Sequence, residues 1–352
     1  MPEGISSAGG TGASAIEVAF IQRYKDGFEQ QFQQMDTKLA QYFDVVSQAS
    51  EFEYYDRIGL AEELVEVTTR YHDNPVSEIP HDRRRIGLRD FEQGKMIEPK
   101  DLVRMSSDPR NAYTMALKGA AHRKMDDIVI GRIFDTANVG KKGETVVNFV
   151  SATSGKITVG ALSSGTSRPI TTAGDYTLTA GDYEGIDIAV DYVESDENAG
   201  GGAGVATAQG ISLGKLRAAR RTMERLESIE EGEVLDVWIT SDQSAQLLKI
   251  PEIINLDYTT RAALQEGKAT TFMGFRFLRC ERLLGTGTSG DPRQCIIAKK
   301  QAVKVAYAKD LTFDMWKLPG KRNIPYMYLS LGMDAVRMWG ECVIRLNCLD
   351  AV

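Results

Sequence analysis

EIPHDRRRIGLRDFEQGKMIEPKDLVR, residues 78–104, is the stretch from which the rest of the chain is read. It carries thirteen Asp, Glu, Lys and Arg side chains in twenty-seven positions, seven basic and six acidic. A uniformly charged partner such as a nucleic acid would be attracted and repelled by such a run in nearly equal measure. A balanced, extended arm suits another protein surface, and the expected partner is a second copy of the chain. Arg83 to Arg89 reads as one strand and Met96 to Leu102 as another, joined across Glu92-Gln93-Gly94-Lys95. The expectation is a protruding two-stranded loop with little apolar surface, marginal alone and stabilised only where it lies on something else.

Downstream, Asp108-Pro109 offers a helix cap and a first-turn proline, and the helix runs to about Phe134. Its length is roughly 40 Å at the standard rise. Ala112, Ala116, Gly119 and Ala120 keep one side thin, so a sheet or loop can approach closely, while Ile128, Ile130, Ile133 and Phe134 anchor the far end. Arg123 and Asp127 sit one turn apart and are expected to pair. Asp126 and Asp127 make a poor catalytic couple, because adjacent helix positions point about 100° apart and no general acid accompanies them.

Upstream, Phe20, Tyr24, Phe28, Phe32, Met35, Leu39, Phe43 and Val46 recur every three or four residues. This predicts one amphipathic helix from Ser14 to about Ser47 with an aromatic stripe. Two seats suit the stripe, the chain's own core or a neighbour, and the second is preferred because no helix of matching length follows to cover it. Met1 to Ser14 is Gly, Ser and Ala without a basic start or apolar core, which reads as a flexible tail and not a signal peptide. Residues 51–71 look mixed, with Leu64 to Thr69 alternating as a strand would, before Asn74-Pro75 and Ile79-Pro80 break the pattern.

From Gly140 to Gly210, 28 of 71 residues are Gly, Ser or Thr, with short alternating runs at Lys156–Val159 and Ile186–Val190. This reads as a β-rich excursion of hairpins. Ser212 then caps a helix through Leu226 with Leu213, Leu216, Met223 and Leu226 inward and Arg217, Arg220, Arg221 and Arg225 outward. The glutamates that follow at once, Glu224 to Glu233, make that face solvated or interfacial and not phosphate-binding. A strand at Val234–Thr240, a helix from Ser241, and strands at Phe272–Glu281, Gln294–Ala308 and Val336–Leu346 complete an α+β class without βαβ alternation.

Chemistry-bearing motifs are few. Gly285-Thr286-Gly287-Thr288-Ser289-Gly290 matches GxGxxG, but Asp291-Pro292 and a β run follow where a nucleotide fingerprint needs a helix. Gly214-Lys215 is followed by Leu216 and lacks the first glycine of a phosphate loop. Cys280, Cys295, Cys342 and Cys348 form no CxxC pair, and His72, His81 and His122 all lie far upstream, so reduced structural thiols are expected and no metal. With 352 residues, 42% hydrophobic and 26% charged, the chain reads as a folded globular protein of roughly two to three domains. Its net charge of −7 argues against a polyanion-binding surface, and no apolar run of about eighteen residues suggests a membrane span.

The order of these pieces resembles a known family. Lys100-Asp101-Leu102-Val103-Arg104 followed by Asp108-Pro109 and its long helix looks like the base of the extended loop and the spine helix of tailed-phage major capsid proteins. Leu213 to Leu226, then Val237-Trp238-Ile239-Thr240 and Ala245-Gln246-Leu247-Leu248, is similar to the elements leading into their axial domain. Met273–Phe277, Cys295–Ala298, Asp334–Arg337 and Val343-Ile344 resemble their closing strands. The resemblance implies the fold of the Hong Kong ninety-seven phage capsid, with an N-terminal arm and amphipathic helix at 1–50 and an extended β-hairpin loop with its base at 51–107. A peripheral domain would follow at 108–210, with a spine helix at 108–135 and the excursion at 140–210, then an axial domain at 211–295 and closing strands of both at 296–352.

It further implies a non-enzymatic shell protein that needs no cofactor and partners itself in pentamers and hexamers. Scaffolding, portal and decoration proteins are its further potential partners, and it would enclose double-stranded DNA without specific binding, in a virion assembled in the host cytoplasm. On this reading Arg83, Arg84, Arg85, Arg89, Asp90, Glu92, Lys95 and Arg104 of the arm, with Phe20, Tyr24, Phe28 and Phe32, are the inter-subunit contacts. The alternatives are an encapsulin-like compartment enclosing cargo enzymes, and an enzyme with a β-rich substrate domain.

Overall fold

A computed structural model describes residues 33–350 apart from 60–63, 65, 67, 71–72, 74–75, 77, 98–109, 161–174, 180, 195–207, 251–252, 254–270, 286–291 and 322. After a 3-10 turn at Ala40–Tyr42 come β1 (Asp44–Ser47), β2 (Phe52–Ile58), β3 (His81–Gly87), β4 (Asp90–Met96) and the long helix α1 (Arg110–Phe134). Short strands follow: β5 (Ala137–Val139), β6 (Thr145–Phe149), β7 (Ile157–Gly160), β8 (Tyr176–Thr179), β9 (Tyr183–Glu184) and β10 (Ile186–Ile188). Next are α2 (Leu213–Arg225), β11 (Leu235–Ile239), α3 (Ser241–Leu247), β12 (Thr271–Phe272), β13 (Phe275–Arg279) and β14 (Pro292–Ala298). The chain closes with β15 (Val303–Leu318), β16 (Ile324–Arg337) and β17 (Val343–Leu349).

Three sheets organise these elements: a four-stranded one in the order β1-β15-β16-β4, a five-stranded one in the order β2-β3-β5-β6-β9, and an eight-stranded one running β12-β13-β11-β14-β17-β10-β7-β8. Helices and largely antiparallel sheets without βαβ alternation give the expected α+β class. The eight-stranded sheet holds the main core. Cys295, Ile296, Ile297 and Ala298 of β14 are buried on both faces, as a central strand covered on two sides requires. On it lies α2, capped as predicted by Ser212, whose hydroxyl accepts from the Lys215 amide, and burying Leu216, Ala219 and Met223. The far half of α1 enters the same core through Val129, Ile130 and Ile133, while Leu117 and Ala121 meet Ile97 of the β4 side and Met327 and Leu329 of β16.

The described strands of the Gly/Ser/Thr excursion join the sheets of the body. Strands β6 and β9 belong to the five-stranded sheet, and β7, β8 and β10 extend the eight-stranded one. Lys215 fastens the point where the chain leaves β10. Fully buried, its ammonium donates to the carbonyls of Val190 at 2.8 Å, Gln209 at 3.0 Å and Asn347 at 2.8 Å. Burial lowers its pKa, and the three carbonyls supply the hydrogen bonds that make a buried ammonium tolerable.

Several expectations are corrected. The charged arm is not a hairpin: β3 pairs with β2 and β5, whereas β4 pairs with β16 in another sheet, and the turn expected at Glu92–Lys95 is mid-strand. The real hairpin is β2 with β3, registered from Phe52 opposite Gly87 to Ile58 opposite His81, which leaves residues 59–80 as its connection. Within that connection Leu64, Glu66 and Thr68 are not in a strand, because an alternating run without a partner ladder gains nothing from extension. Of the helix expected from Ser14 to Ser47, residues 14–32 lie outside the described residues, and from Gln33 on the chain is irregular, then 3-10, then β1.

The cause lies on α1. The buried Asp126 carboxylate accepts from the Lys38 amide at 2.8 Å, the Leu39 amide at 3.0 Å and the Gln34 side-chain amide at 2.5 Å. Those amides serve Asp126 instead of a helix ladder. Leu39 and Phe43 still reach the core, and Phe43 stacks at 5.2 Å on Trp238, so part of the helical period coincides with burial by another route. Arg123 does not pair with Asp127: Arg282 holds Asp127 through two bonds at 2.6 and 2.5 Å. The runs read as single strands at 294–308 and 336–346 are each broken by a 3-10 turn, at Lys300–Ala302 and Gly340–Cys342. Gly285 lies in a bend, the next described element is β14, and the rest of the GxGxxG run, 286–290, lies outside the described residues.

Candidate assembly surfaces

The three successive arginines of β3 alternate across the sheet, as strand geometry demands. Arg83 and Arg85 face outward. Arg83 binds Asp56 and lowers that carboxyl's pKa, and it stands 5.8 Å from the Tyr54 ring centre, while Arg85 lies 5.0 Å over Phe52. Arg84 points the other way and is fully buried. It shares Oε1 of Glu184 with Arg57, which donates at 2.8 Å and also holds Asp82 at 2.7 Å. Arg337 of β16 stands 3.8 Å from the other Glu184 oxygen, donates to the carbonyls of Ile133 and Asp135, and lies 5.1 Å from the Phe149 ring centre. As an inter-subunit contact Arg84 is therefore corrected, because its counter-ion belongs to its own chain and no partner can reach it.

Three guanidiniums thus converge on one buried carboxylate, with Asp82 at the margin. Burial alone would raise the Glu184 pKa, but Arg84, Arg57 and Arg337 outweigh it and hold the group below its ordinary value. Burial draws Arg84 down and Arg337 down to about 10, whereas Arg57 is held above its ordinary value by Glu184 and Asp82 against its own burial. Nε and Nη1 of Arg84, Nε and Nη2 of Arg337 and Oε2 of Glu184 make no hydrogen bond, so the cluster rests on charge pairing more than on ideal geometry.

On β4, by contrast, Asp90, Glu92, Gln93 and Lys95 are exposed along a sheet edge, with Arg89 exposed just before them. Glu92 accepts from the Tyr328 phenol and pushes its pKa up to about 12. Arg104, Phe20, Tyr24, Phe28 and Phe32 lie outside the described residues.

The sequence reading missed the projecting ribbon, the outer halves of β15 and β16. Trp316 packs edge-on against Tyr326 at 5.2 Å and against Tyr328 at 5.3 Å, on the ribbon face turned from α1. Met96 and Trp316 each remain 41% exposed there, and Met315, 47% exposed, lies on the opposite face of the ribbon beside Met327. Lys321 borders the patch at Met96, while Lys95 and Lys317 project from the opposite face, the Lys95 ammonium 5.8 Å from the Tyr113 ring centre of α1. Gly94 lets the Tyr326 ring lie across β4, since a Cβ at that position would meet the Tyr326 phenol. The available signal was Pro319-Gly320, a turn dipeptide between two strand-forming runs.

The 59–80 connection has the opposite character. It carries Glu62, Glu63, Glu66, Asp73 and Glu78 against the single Arg70. Leu64 is 102% and Val76 90% exposed. Among the described residues no group of His, Cys, Asp and Glu could hold a metal ion, and no helix is long and apolar enough to cross a membrane.

A family model described as phage capsid protein matches residues 16–173 and 170–350. No curated protein matches the sequence. Among solved structures, the capsid of the cyanophage P-SCSP1u aligns with 97% of this chain and 96% of its own at 17% identity and a TM-score of 0.62. The capsid of Ralstonia phage GP4 aligns with 98% of this chain and 99% of its own at 10% identity and a TM-score of 0.60. For the capsid of cyanophage Pam1 the figures are 98%, 100%, 12% and 0.60. At such identities these likenesses show the fold.

Proposed function

The chain belongs to the phage capsid protein family and is a major capsid protein forming the shell of a phage head, and from that premise we propose which surfaces join its copies. The observation that carries the proposal is a complementarity between two surfaces of one subunit. The 59–80 connection is acidic with Leu64 and Val76 exposed, and the β15–β16 ribbon tip carries Lys317 and Lys321 with Trp316 and Met315 exposed. Within one chain these surfaces belong to different sheets. Across a closed shell each copy offers both, so one heterologous contact repeats around every ring of subunits.

Arg83, Arg85, Arg89, Asp90, Glu92 and Lys95 remain the outward charges of the arm that neighbours can meet. In the proposed division, α1 with the four-stranded sheet forms the peripheral domain, β2–β3 the extended loop, and the eight-stranded sheet with α2 and α3 the axial domain. Pentamers and hexamers then build a shell whose net charge of −7 suits DNA enclosed without specific grip, assembled in the host cytoplasm.

The test is charge reversal with rescue. Lys317→Glu with Lys321→Glu is expected to leave soluble subunits and no particles by electron microscopy, and Glu66→Lys with Glu78→Lys added in the same chain is expected to restore them. Normal particles from the lysine reversal alone would remove the ribbon tip from the assembly.

A further inference from the structure

Beside the strip of α1 that carries the chain after Gln33 runs a groove of about 360 Å³ between α1, β4 and β16. Phe91, Leu329 and Leu331 make its floor apolar, and the small side chains of Ala120 and Ala121 keep it open. Arg123, Lys124 and Arg282 outnumber Asp127 and Glu92 on the rim, and the Lys124 ammonium stands 5.1 Å from the centre of the Phe91 ring. Arg123 also donates to Oε1 of Gln33 at 2.7 Å and to the Gln34 carbonyl at 3.3 Å. The first described residue is therefore tied to the rim itself, and Phe32 is the next residue toward the N-terminus.

We propose that this groove seats the same chain's N-terminal segment, residues 14–32, with Phe32 and Phe28 against the Phe91, Leu329 and Leu331 floor. Continuity supports it: the adjoining strip of α1 already binds the following residues through Arg123, the Asp126 carboxylate and Gly119, where a Cβ would come within 3.2 Å of the Gln34 carbonyl. The side chains match as well, because Phe20, Tyr24, Phe28 and Phe32 recur every fourth residue and form one apolar stripe when helical. Charge agrees: residues 1–32 hold Glu3, Glu17, Asp26 and Glu29 against Arg23 and Lys25, an acidic segment beside a basic rim. Aromatic rings under Lys124 and Arg282 add cation–π attraction.

Ala120→Cys in the full-length chain, compared with the same variant lacking residues 1–32, tests this by its rate of maleimide labelling. Met115→Cys, on a different and exposed face of α1, is the control. Labelling at 120 is expected to be at least roughly tenfold slower with the segment present, and labelling at 115 unchanged. Equal rates at 120 overturn the proposal. A second readout joins Phe32→Cys to Gln93→Cys with a short bismaleimide: a link within one chain supports the proposal, while no link, or a link to another copy, overturns it. Leu64→Cys of another copy bridging to Gln93→Cys would give the groove to a neighbour's 59–80 connection and also overturn it. Labelling is read on unassembled subunits as well as on particles, so its failure is distinguishable from failure of the shell contacts.

Discussion

In β3 the Arg84 guanidinium is shut away from solvent and shares Glu184 with Arg57, whereas a few residues later β4 holds Asp90, Glu92 and Lys95 in water along a sheet edge. Both strands come from one run of charge. What separates them is the partner ladder: β3 is flanked by β2 and β5 and covered on one face by Ala306, Val336 and Met338, while β4 has only β16 beside it. A charged strand in the middle of a sheet must find internal counter-ions, and one at an edge can leave its charges for water or for another molecule.

The largest effect that would break this contrast is at Glu184. Glu184→Ala leaves three guanidiniums around an empty centre and is expected to cost the unassembled subunit roughly 3–5 kcal/mol in urea denaturation. Arg84→Met should cost less, because Glu184 keeps Arg57 and Arg337. A loss from Glu184→Ala no larger than that of an exposed charge would show that burial makes no difference between the strands.

Acid sharpens the same contrast. Because the arginines hold Glu184 below its ordinary value of 4.5, its stabilisation is complete above that pH and disappears as pH falls below it toward the folded value. The stability of the wild-type subunit should therefore drop in that acid window more steeply than that of Glu184→Gln, as followed by thermal melts across pH. Parallel curves would contradict the charge-paired cluster.

On β4, Gly94→Val drives a side chain into the Tyr326 ring and is expected to cost roughly 1–3 kcal/mol by the same melts. Smallest for the subunit is Asp90→Lys with Glu92→Lys, each within about 0.5 kcal/mol, accompanied by a lower yield of particles. An unchanged yield would leave the β4 edge as ordinary solvated surface.

Elements whose signal is local were legible in the sequence. The Ser212 cap and the apolar spacing of Leu213, Leu216, Met223 and Leu226 placed α2 within a residue, and β11 with the start of α3 followed from Val234 to Ser241. The Arg84 environment was not legible, because its counter-ion Glu184 lies 100 residues away and a run of arginines reads the same whether it faces water or a carboxylate. For Leu39 and Phe43, helical spacing was right about burial and wrong about conformation, since Asp126 captures the amides of Lys38 and Leu39 from α1. The outer half of β15 escaped for a third reason: a strand with no buried residue on either face loses the two-residue alternation by which a strand is recognised.

The Lys215 clasp has a consequence for how such proteins diversify. By gripping Val190 and Gln209 together it fixes the two stems from which the glycine-rich passage departs and returns, so the body does not feel how long that passage is. Lengthening a loop whose ends are already joined costs only about 0.6 kcal/mol per doubling. A foreign epitope spliced in beyond Glu194 would ride on every copy of the shell while the sheet beneath kept its register.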